Sequence, residues 1–286
     1  MMIVAIVGPT GVGKTRMSIE LAKALNAIII NCDAVQIYKE LNIGSAKASI
    51  EEREGIPHYL LDIKSVNENY TVKDYQKDLR NLLAQYQNQN IIIVGGTGLY
   101  LCAGLMDYRF EEETENNLYE NLTNEELYQM ALKKDPDVDI HPNNRVRLIR
   151  FLNKEMTSKV EPILLYDNVH FIGLTTQREN LYNIINKRVD KMMELGLLEE
   201  TKSLYEKYPE SRVVHSAIGY KELIDYLNGN VSYEEAVDKI KQNSRHYAKR
   251  QYTWFNNKMN VTWFNVDYLD FNKTISSVKK HLQIKE

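Results

Sequence analysis

The sequence predicts an α/β fold, in which a parallel β-sheet is flanked by helices and interrupted by a helical insert. Short apolar runs rich in Val and Ile alternate with segments of helical periodicity, as is typical of parallel strands buried on both faces. A glycine-rich loop directly follows the first apolar run and precedes a helical segment. The chain has 286 residues, enough for one large domain with an insert.

Five apolar segments are predicted as strands, and the segments between them as helices. The helix over 14–25 carries Met17, Leu21 and Leu25 on one face. A second helix begins near residue 71, where Thr71 and Asp74 have capping-box spacing. The predicted strands are 3–7, 27–32, 90–98, 170–175 and 261–266.

Residues 107–165 break the strand–helix alternation. This stretch has few β-branched runs, several acidic clusters and two helical segments, "TNEELYQMALKKD" and "NNRVRLIRFLNKE". We therefore predict a helical insert at 107–165 in an α/β core made of 1–106 and 166–286.

Composition limits the cell compartment and the classes of partner. The two cysteines, Cys32 and Cys102, have no metal-ligand spacing, which favours a reducing compartment over a disulfide framework. The sequence shows no signal-peptide pattern and no apolar stretch long enough to span a bilayer, so we expect a cytoplasmic protein without membrane contact. The formal net charge is −3, so any nucleic-acid surface must come from local clustering of basic residues.

The loop "GPTGVGKT" at residues 8–15 matches the phosphate-binding pattern G-x-x-x-x-G-K-[ST] between a strand and a helix. Glycines let backbone N–H groups converge on one anion, and the helix N-terminus adds partial positive charge. Lys14 supplies a full charge, and the Thr15 hydroxyl can help to hold Mg²⁺. The motif by itself predicts a P-loop NTPase-like fold that binds a nucleotide such as ATP.

Two further features bear on which molecule carries the phosphate that the loop binds. The strand "IIIV" ends in "GGTG" without the carboxylate that usually holds the metal in a nucleoside-triphosphate hydrolase. Asp33 directly follows the second strand, so it should face the same crevice as the loop. From the residues alone, Asp33 is equally well explained as a helix cap or turn residue.

Seven segments occur in an order that resembles one family. They are "GPTGVGKT", "DAVQIYKELNIGSAK", "PHYLLDI", "VGGTGLYL", "HPNN" followed by "RLIR", "AIGYKE" and "RHYAKRQYTWF". The chain resembles a tRNA dimethylallyltransferase nearly from end to end. The resemblance implies transfer of a dimethylallyl group from dimethylallyl diphosphate to the exocyclic amine of the adenosine 3′ of the anticodon, in tRNAs that read codons beginning with U. The loop would then grip a diphosphate that leaves as pyrophosphate.

The resemblance also implies roles for individual residues. Asp33 would accept the proton of the amine, while Thr97 and Arg188 would help Lys14 and Mg²⁺ to stabilise the departing diphosphate. The alternative for Thr97 is a helix cap, and without the family Arg188 reads as a solvated helix residue. Ile184 stands where the family often has a second arginine, one turn before Arg188. The residues expected to bind diphosphate are Gly8, Pro9, Thr10, Gly11, Val12, Gly13, Lys14 and Thr15.

A tRNA substrate requires a basic surface and a pocket for a flipped base. Segment 239–258 has six Lys or Arg and no acidic residue, with interleaved aromatics that could stack on bases or pack on the core. Trp254 and Phe255 are candidates for such core packing. The residues expected to contact tRNA are Asp33, Ala34, Val35, Gln36, Arg147, Arg150, Gly219, Tyr220, Lys221, Arg245, Lys249, Arg250 and Gln251.

The insert departs from the family pattern. The segment between "MDYRF" and "NEELY" and the segment after "FLNKEMTSKV" are both shorter than expected, and a D-P-x-x-R stretch is missing.

Three other functions fit parts of the sequence. A small-molecule P-loop kinase explains residues 8–33 but not the basic C-terminal segment. A prenyltransferase of free adenine nucleotides needs neither that segment nor the insert. A non-catalytic RNA-binding module would carry a vestigial loop. For the favoured function we expect a monomer that uses Mg²⁺.

Overall fold

A computed structural model of the protein describes residues 1–110, 117–119, 121–153 and 162–284. In these ranges, six strands form one fully parallel sheet in the order β3-β2-β4-β1-β5-β6. The strands are β1 (Ile3–Val7), β2 (Ile28–Asn31), β3 (His58–Tyr59), β4 (Ile91–Val94), β5 (Val169–Thr175) and β6 (Thr262–Asn265). All five predicted strands are present.

Helices cover the sheet and extend beyond it. Those of the sheet-containing part are α1 (Lys14–Leu25), α2 (Val72–Gln85), α3 (Gly98–Leu105), α6 (Arg178–Glu194), α7 (Leu197–Lys207), α8 (Arg212–Ser216), α9 (Tyr220–Leu227), α10 (Tyr233–Lys258) and α11 (Phe271–His281). Between α3 and β5 lie a 3₁₀ turn (Asn117–Tyr119), α4 (Asn124–Lys134) and α5 (Arg145–Asn153).

The central strand β1 explains why its sequence is continuously apolar. Ile3 and Ala5 pack into the core on one face of the sheet, while Val4 and Ile6 pack into the core on the other face. All four side chains are fully buried. A parallel strand covered by helices on both sides needs apolar residues at every position, as the run "IVAIV" provides.

Local signals also fix the start of α2. The Thr71 side chain accepts a hydrogen bond from the Asp74 backbone N–H, and the Asp74 carboxylate accepts one from the Thr71 backbone. The predicted capping box is confirmed. Strand β3 was not predicted, because a two-residue strand carries too little periodicity to be recognised.

The described chain divides into two compact units, one made of Met1–Met106 with Leu164–Glu286 and the other of Asp107–Ile163. The smaller unit packs α4 against α5 around Leu127, Ala131 and Leu148. The shortened segments noted in the sequence fall largely on 111–116, 120 and 154–161, outside the described residues. Among the residues described, no helix is both long and apolar enough to span a membrane.

Candidate active site

The phosphate loop lies at the carboxyl end of β1, between β1 and α1. Gly13 is the N-cap residue of α1 and has φ = 84°, in the left-handed region that glycine adopts without strain. This backbone turn lets the helix N-terminus face the loop, where its dipole attracts anions. Within the loop, Val12 is fully buried in the core, whereas Thr15 is exposed.

Lys14 is folded back over its own loop. Its Nζ donates hydrogen bonds to the carbonyl oxygens of Gly8, at 2.9 Å, and Pro9, at 2.8 Å. The pKa of the Lys14 ammonium is lowered to about 7, chiefly by burial and next by the nearby Arg188, while the Asp33 carboxylate partly opposes both effects. An anion in the loop would supply the negative charge that this buried cation lacks.

Arg188 joins the loop from α6. Its Nη1 donates to the Thr10 hydroxyl at 3.2 Å, and the guanidinium is largely withdrawn from solvent. Burial lowers the pKa of Arg188, and the nearby Asp33 carboxylate offsets only part of this effect. Ile184, one turn earlier, also faces the loop, since its Cγ2 would lie 3.3 Å from a Cβ built on Gly11. Arg188 is therefore a residue of this site and does not sit on a solvated helix face.

Asp33 follows β2 and is tied into a tight turn. Its Oδ1 accepts from the backbone N–H of Val35 at 2.9 Å and of Gln36 at 3.4 Å. Its other oxygen, Oδ2, would lie 3.8 Å from a Cβ built on Gly96, so the carboxylate lies over the end of β4. The carboxylate is close enough to raise the pKa of both Lys14 and Arg188, so it lies near the cationic loop.

Thr97 connects the ends of β2 and β4. Its backbone N–H donates to the Cys32 carbonyl at 3.1 Å, and its hydroxyl accepts from the Ala34 N–H at 3.0 Å. It occupies the N-cap position of α3 without making a side-chain cap hydrogen bond. The hydroxyl thus belongs to the Asp33 turn and not to a helix cap.

Helix α10 contributes two residues that hold this edge of the sheet together. The Gln251 carboxamide accepts from the Thr10 N–H at 3.0 Å and donates to the Gly96 carbonyl at 3.1 Å. A side chain at residue 96 would overlap Gln251, so this close approach requires glycine. Tyr247, one turn earlier, contacts Thr97, and burial raises the pKa of its phenol. Neither role was predicted: Gln251 was expected to bind tRNA, and Tyr247 is one of the aromatics interleaved in the basic segment 239–258.

The other residues expected to contact tRNA fall into two groups. Lys249 and Arg250 are exposed on α10, as Arg147 and Arg150 are on α5. Arg245 donates to Asn186 Oδ1 at 2.6 Å and so is partly engaged with α6. Phe255 is buried, and Trp254 packs against the core, in agreement with the core alternative for these aromatics.

The segment 217–222 is mostly turned inward. Tyr220 is completely buried, and its hydroxyl donates to Glu200 Oε1 at 2.7 Å. Gly219, with φ = 99°, donates its N–H to Glu222, and Lys221 lies 3.7 Å from the same carboxylate.

The segment 34–36, also expected to contact tRNA, is held by its surroundings. Gln36 donates its side-chain NH₂ to the carbonyls of Ser45 and Ala46, at 3.1 and 3.5 Å. Ala34 and Val35 are half-buried against the core.

These contacts define a P-loop α/β protein. The phosphate loop with Lys14 and Arg188 forms a cationic cradle at the carboxyl edge of the sheet, and the Asp33 carboxylate lies near it. A family model described as IPP transferase matches residues 36–258. The chain belongs to the IPP transferase family.

Relatives and solved structures agree with this assignment. The chain is 45% identical over 298 residues to a protein from Anoxybacillus flavithermus named tRNA dimethylallyltransferase, with 98% of this chain and 96% of that protein covered. A protein of the same name from Bacillus anthracis is 45% identical over 305 residues, covering 99% and 97%. Both alignments are longer than the 286 residues of this chain, so these relatives have residues that the chain lacks.

Two crystal structures cover the whole fold. The tRNA isopentenylpyrophosphate transferase of Bacillus halodurans has a TM-score of 0.79 at 41% identity, covering 99% of this chain and 95% of that one. A eukaryotic dimethylallyltransferase, described as acting on tRNA, has a TM-score of 0.81 at 28% identity, covering 100% of this chain and 81% of that one. The predicted fold class and family are confirmed.

Proposed function

We propose that this protein transfers the dimethylallyl group of dimethylallyl diphosphate to the exocyclic amine of the adenosine 3′ of the anticodon, in tRNAs that read codons beginning with U. The names of the relatives support both substrates. The observation that carries the proposal is the placement of Lys14 and Arg188 at the loop, with Asp33 acting electrostatically on both. Transfer of a prenyl group needs cations for the leaving group and a base for the nucleophile.

The leaving group determines what the cradle must do. As the bond between the prenyl carbon and the diphosphate oxygen breaks, negative charge builds up on that oxygen. Cations and N–H groups aimed at this charge stabilise the transition state more than the ground state. Lys14, Arg188 and the loop amides would supply them, while Thr97 would hold the Asp33 turn against the end of β4.

The nucleophile is an aromatic amine whose lone pair is delocalised into the purine ring. As the new bond between nitrogen and carbon forms, the nitrogen acquires positive charge and loses one proton. The Asp33 carboxylate would accept that proton. Its Oδ1 accepts from the Val35 and Gln36 amides, which supports the inference that Oδ2 would be the oxygen that acts as the base.

The residues at the loop also fit Mg²⁺, which prefers hard oxygen ligands and usually keeps several waters beside substrate phosphates. In the part of the chain that the structure describes, no three acidic, His or Cys side chains are grouped as a metal site. The exposed Thr15 hydroxyl would help to hold the ion. The ion would neutralise the charge of the leaving diphosphate.

For tRNA, we propose that the exposed cations of α10 and α5 bind the phosphate backbone, with Lys249, Arg250, Arg147 and Arg150 as the accessible ones. The flipped adenine would enter beside residues 33–36. The protein would act as a monomer in the cytoplasm.

Product analysis distinguishes this function from the alternatives. Release of pyrophosphate from dimethylallyl diphosphate should require an anticodon stem-loop, and AMP should not replace the RNA. Release of ADP from ATP with a small acceptor would instead indicate a kinase. Pyrophosphate release with AMP alone would indicate a prenyltransferase of free nucleotides, and tRNA binding without either product would indicate a binding module.

A further inference from the structure

Glu200, on α7, collects an unusual number of hydrogen bonds for a helix glutamate. Its carboxylate accepts from the backbone N–H of Ile43, at 3.0 Å to each oxygen, and of Gly44, at 3.2 Å. Asn42 N–H lies 3.3 Å from Oε2, and the Tyr220 hydroxyl donates to Oε1 at 2.7 Å. Three successive backbone amides and one phenol thus bind a single carboxylate, and bonds of this kind to an ionised acceptor are among the stronger ones in proteins.

The loop 42–46 held by Glu200 in turn holds Gln36. The Gln36 Nε2 donates to the carbonyl oxygens of Ser45 and Ala46. The ring of Tyr220 also packs against Gly44, so both Glu200 and Tyr220 contact the loop. Since two carbonyl oxygens can be faced only by the NH₂ end of a carboxamide, Gln36 is left with its carbonyl oxygen to offer a ligand.

Glu200, Tyr220 and loop 42–46 together form a clamp on Gln36. The position of Gln36 connects this clamp to the active site. Its backbone N–H lies 3.4 Å from Oδ1 of Asp33, so both side chains leave the same turn. The exocyclic amine of adenine has two protons. Prenyl transfer removes one and retains the other, so a base and a fixed acceptor are the complementary partners for this amine.

We propose that Glu200, together with Tyr220, is a positioning residue that orients Gln36 so that its carbonyl oxygen accepts the retained proton of the target amine. This inference rests on the proposed function, because it assumes that the base enters beside Asp33. It assigns a purpose to the buried Tyr220, which was expected to touch RNA directly. The clamp selects a purine that carries a 6-amino donor.

Binding measured without prenyl donor tests this role separately from catalysis. The probes are two anticodon stem-loops, one with adenosine at the target position and one with purine riboside, which lacks the amine. The wild-type protein should prefer the adenosine loop by more than tenfold, because Gln36 and Asp33 each accept a hydrogen bond from the amine and one well-placed hydrogen bond is worth roughly tenfold. Gln36→Leu should lower this preference by about tenfold and leave the part that Asp33 provides, which defines the full effect of losing the Gln36 acceptor.

Glu200→Gln should reduce the preference severalfold while affinity for the purine riboside loop stays within about twofold of wild type. Glu199→Gln, an exposed neighbour on the same helix, is the matched control and should change neither value. Tyr220→Phe keeps the ring on Gly44 and removes only the hydroxyl. It should therefore shift the preference in the same direction with less risk to folding, which thermal unfolding checks.

The inference is overturned if Glu200→Gln and Tyr220→Phe keep the wild-type preference, or if they weaken both loops equally. If that happens while the wild-type protein still prenylates the adenosine loop, the proposed function stands and only the clamp is wrong. If the wild-type protein binds neither loop and transfers no prenyl group, both proposals fail.

Discussion

Arg188 on α6 donates a hydrogen bond to the Thr10 hydroxyl in the phosphate loop, across 178 positions of sequence. This contact brings a second cation to a loop that already contains Lys14. A P-loop that releases a whole diphosphate must stabilise more developing charge than its backbone amides provide alone.

Arg188→Ala should lower the turnover of prenyl transfer by roughly 10²–10³-fold, the typical effect of removing one donor from a developing anion. Lys187→Ala, an exposed neighbour on the same helix, is the control and should be close to wild type. Steady-state rates with saturating RNA and varied dimethylallyl diphosphate provide the measurement. Equal rates in the two variants would remove Arg188 from the chemistry.

Gln251→Ala should weaken both the fold and the cradle. The substitution leaves the Thr10 N–H and the buried Gly96 carbonyl without their partner, which typically costs about 1–3 kcal/mol. We expect a lower free energy of unfolding and a higher Kd for pyrophosphate, measured by denaturant titration and calorimetry. Gln242→Ala, exposed on the same helix, should alter neither quantity. If Gln251→Ala keeps the wild-type free energy of unfolding and Kd, the two hydrogen bonds of Gln251 contribute to neither.

Binding of pyrophosphate should weaken as the pH rises above about 7. The pKa of Lys14 is about 7, because burial and Arg188 disfavour its charged form. An anion needs the ammonium, so binding above this pH takes up a proton, and affinity falls by up to about tenfold per pH unit. Lys14→Arg stays charged and should lose this dependence. Calorimetry in buffers of different ionisation enthalpy measures how many protons are taken up when pyrophosphate binds. If the wild-type protein takes up no proton at pH 8, the lowered pKa assigned to Lys14 is contradicted.

Lys249→Ala should weaken tRNA binding and flatten its salt dependence without a loss of stability. Each lost phosphate contact reduces the slope of log K against log salt by about 0.7–0.9. Arg245→Ala should act similarly but also destabilise the protein slightly, because Arg245 bonds to Asn186 on α6. Lys280→Ala removes an exposed charge from α11 and serves as the control. If all three variants share one salt slope, the basic face of α10 is structural.

Features set by neighbouring residues were predictable. The strand 3–7, the helix over 14–25 and the Thr71–Asp74 capping box depend on periodicity and short-range hydrogen bonds, which the sequence displays directly. The phosphate loop is equally local. The order of the elements also predicted that the phosphate loop follows the first strand and that Asp33 follows the second, at the same edge of the sheet.

Features set by long-range packing were not predictable. Gln251 looks like a polar helix residue in a basic segment, yet it is buried between two loops more than 150 positions away. Glu200, in "LLEETKS", has the pattern of a solvated helix face, and only the fold brings loop 42–44 to it. Arg188 was assigned by resemblance alone, since an arginine on an amphipathic helix carries no local signal of burial.

The central claim is that a carboxylate facing a diphosphate cradle draws a proton from a tRNA base during prenyl transfer. Mass spectrometry of tRNA incubated with the protein, Mg²⁺ and dimethylallyl diphosphate tests it most directly. The account predicts one added dimethylallyl group on the adenosine 3′ of the anticodon. With Asp33→Ala, it predicts almost no product although tRNA binding is nearly unchanged. Unmodified tRNA with the wild-type protein, or full modification with Asp33→Ala, would contradict it.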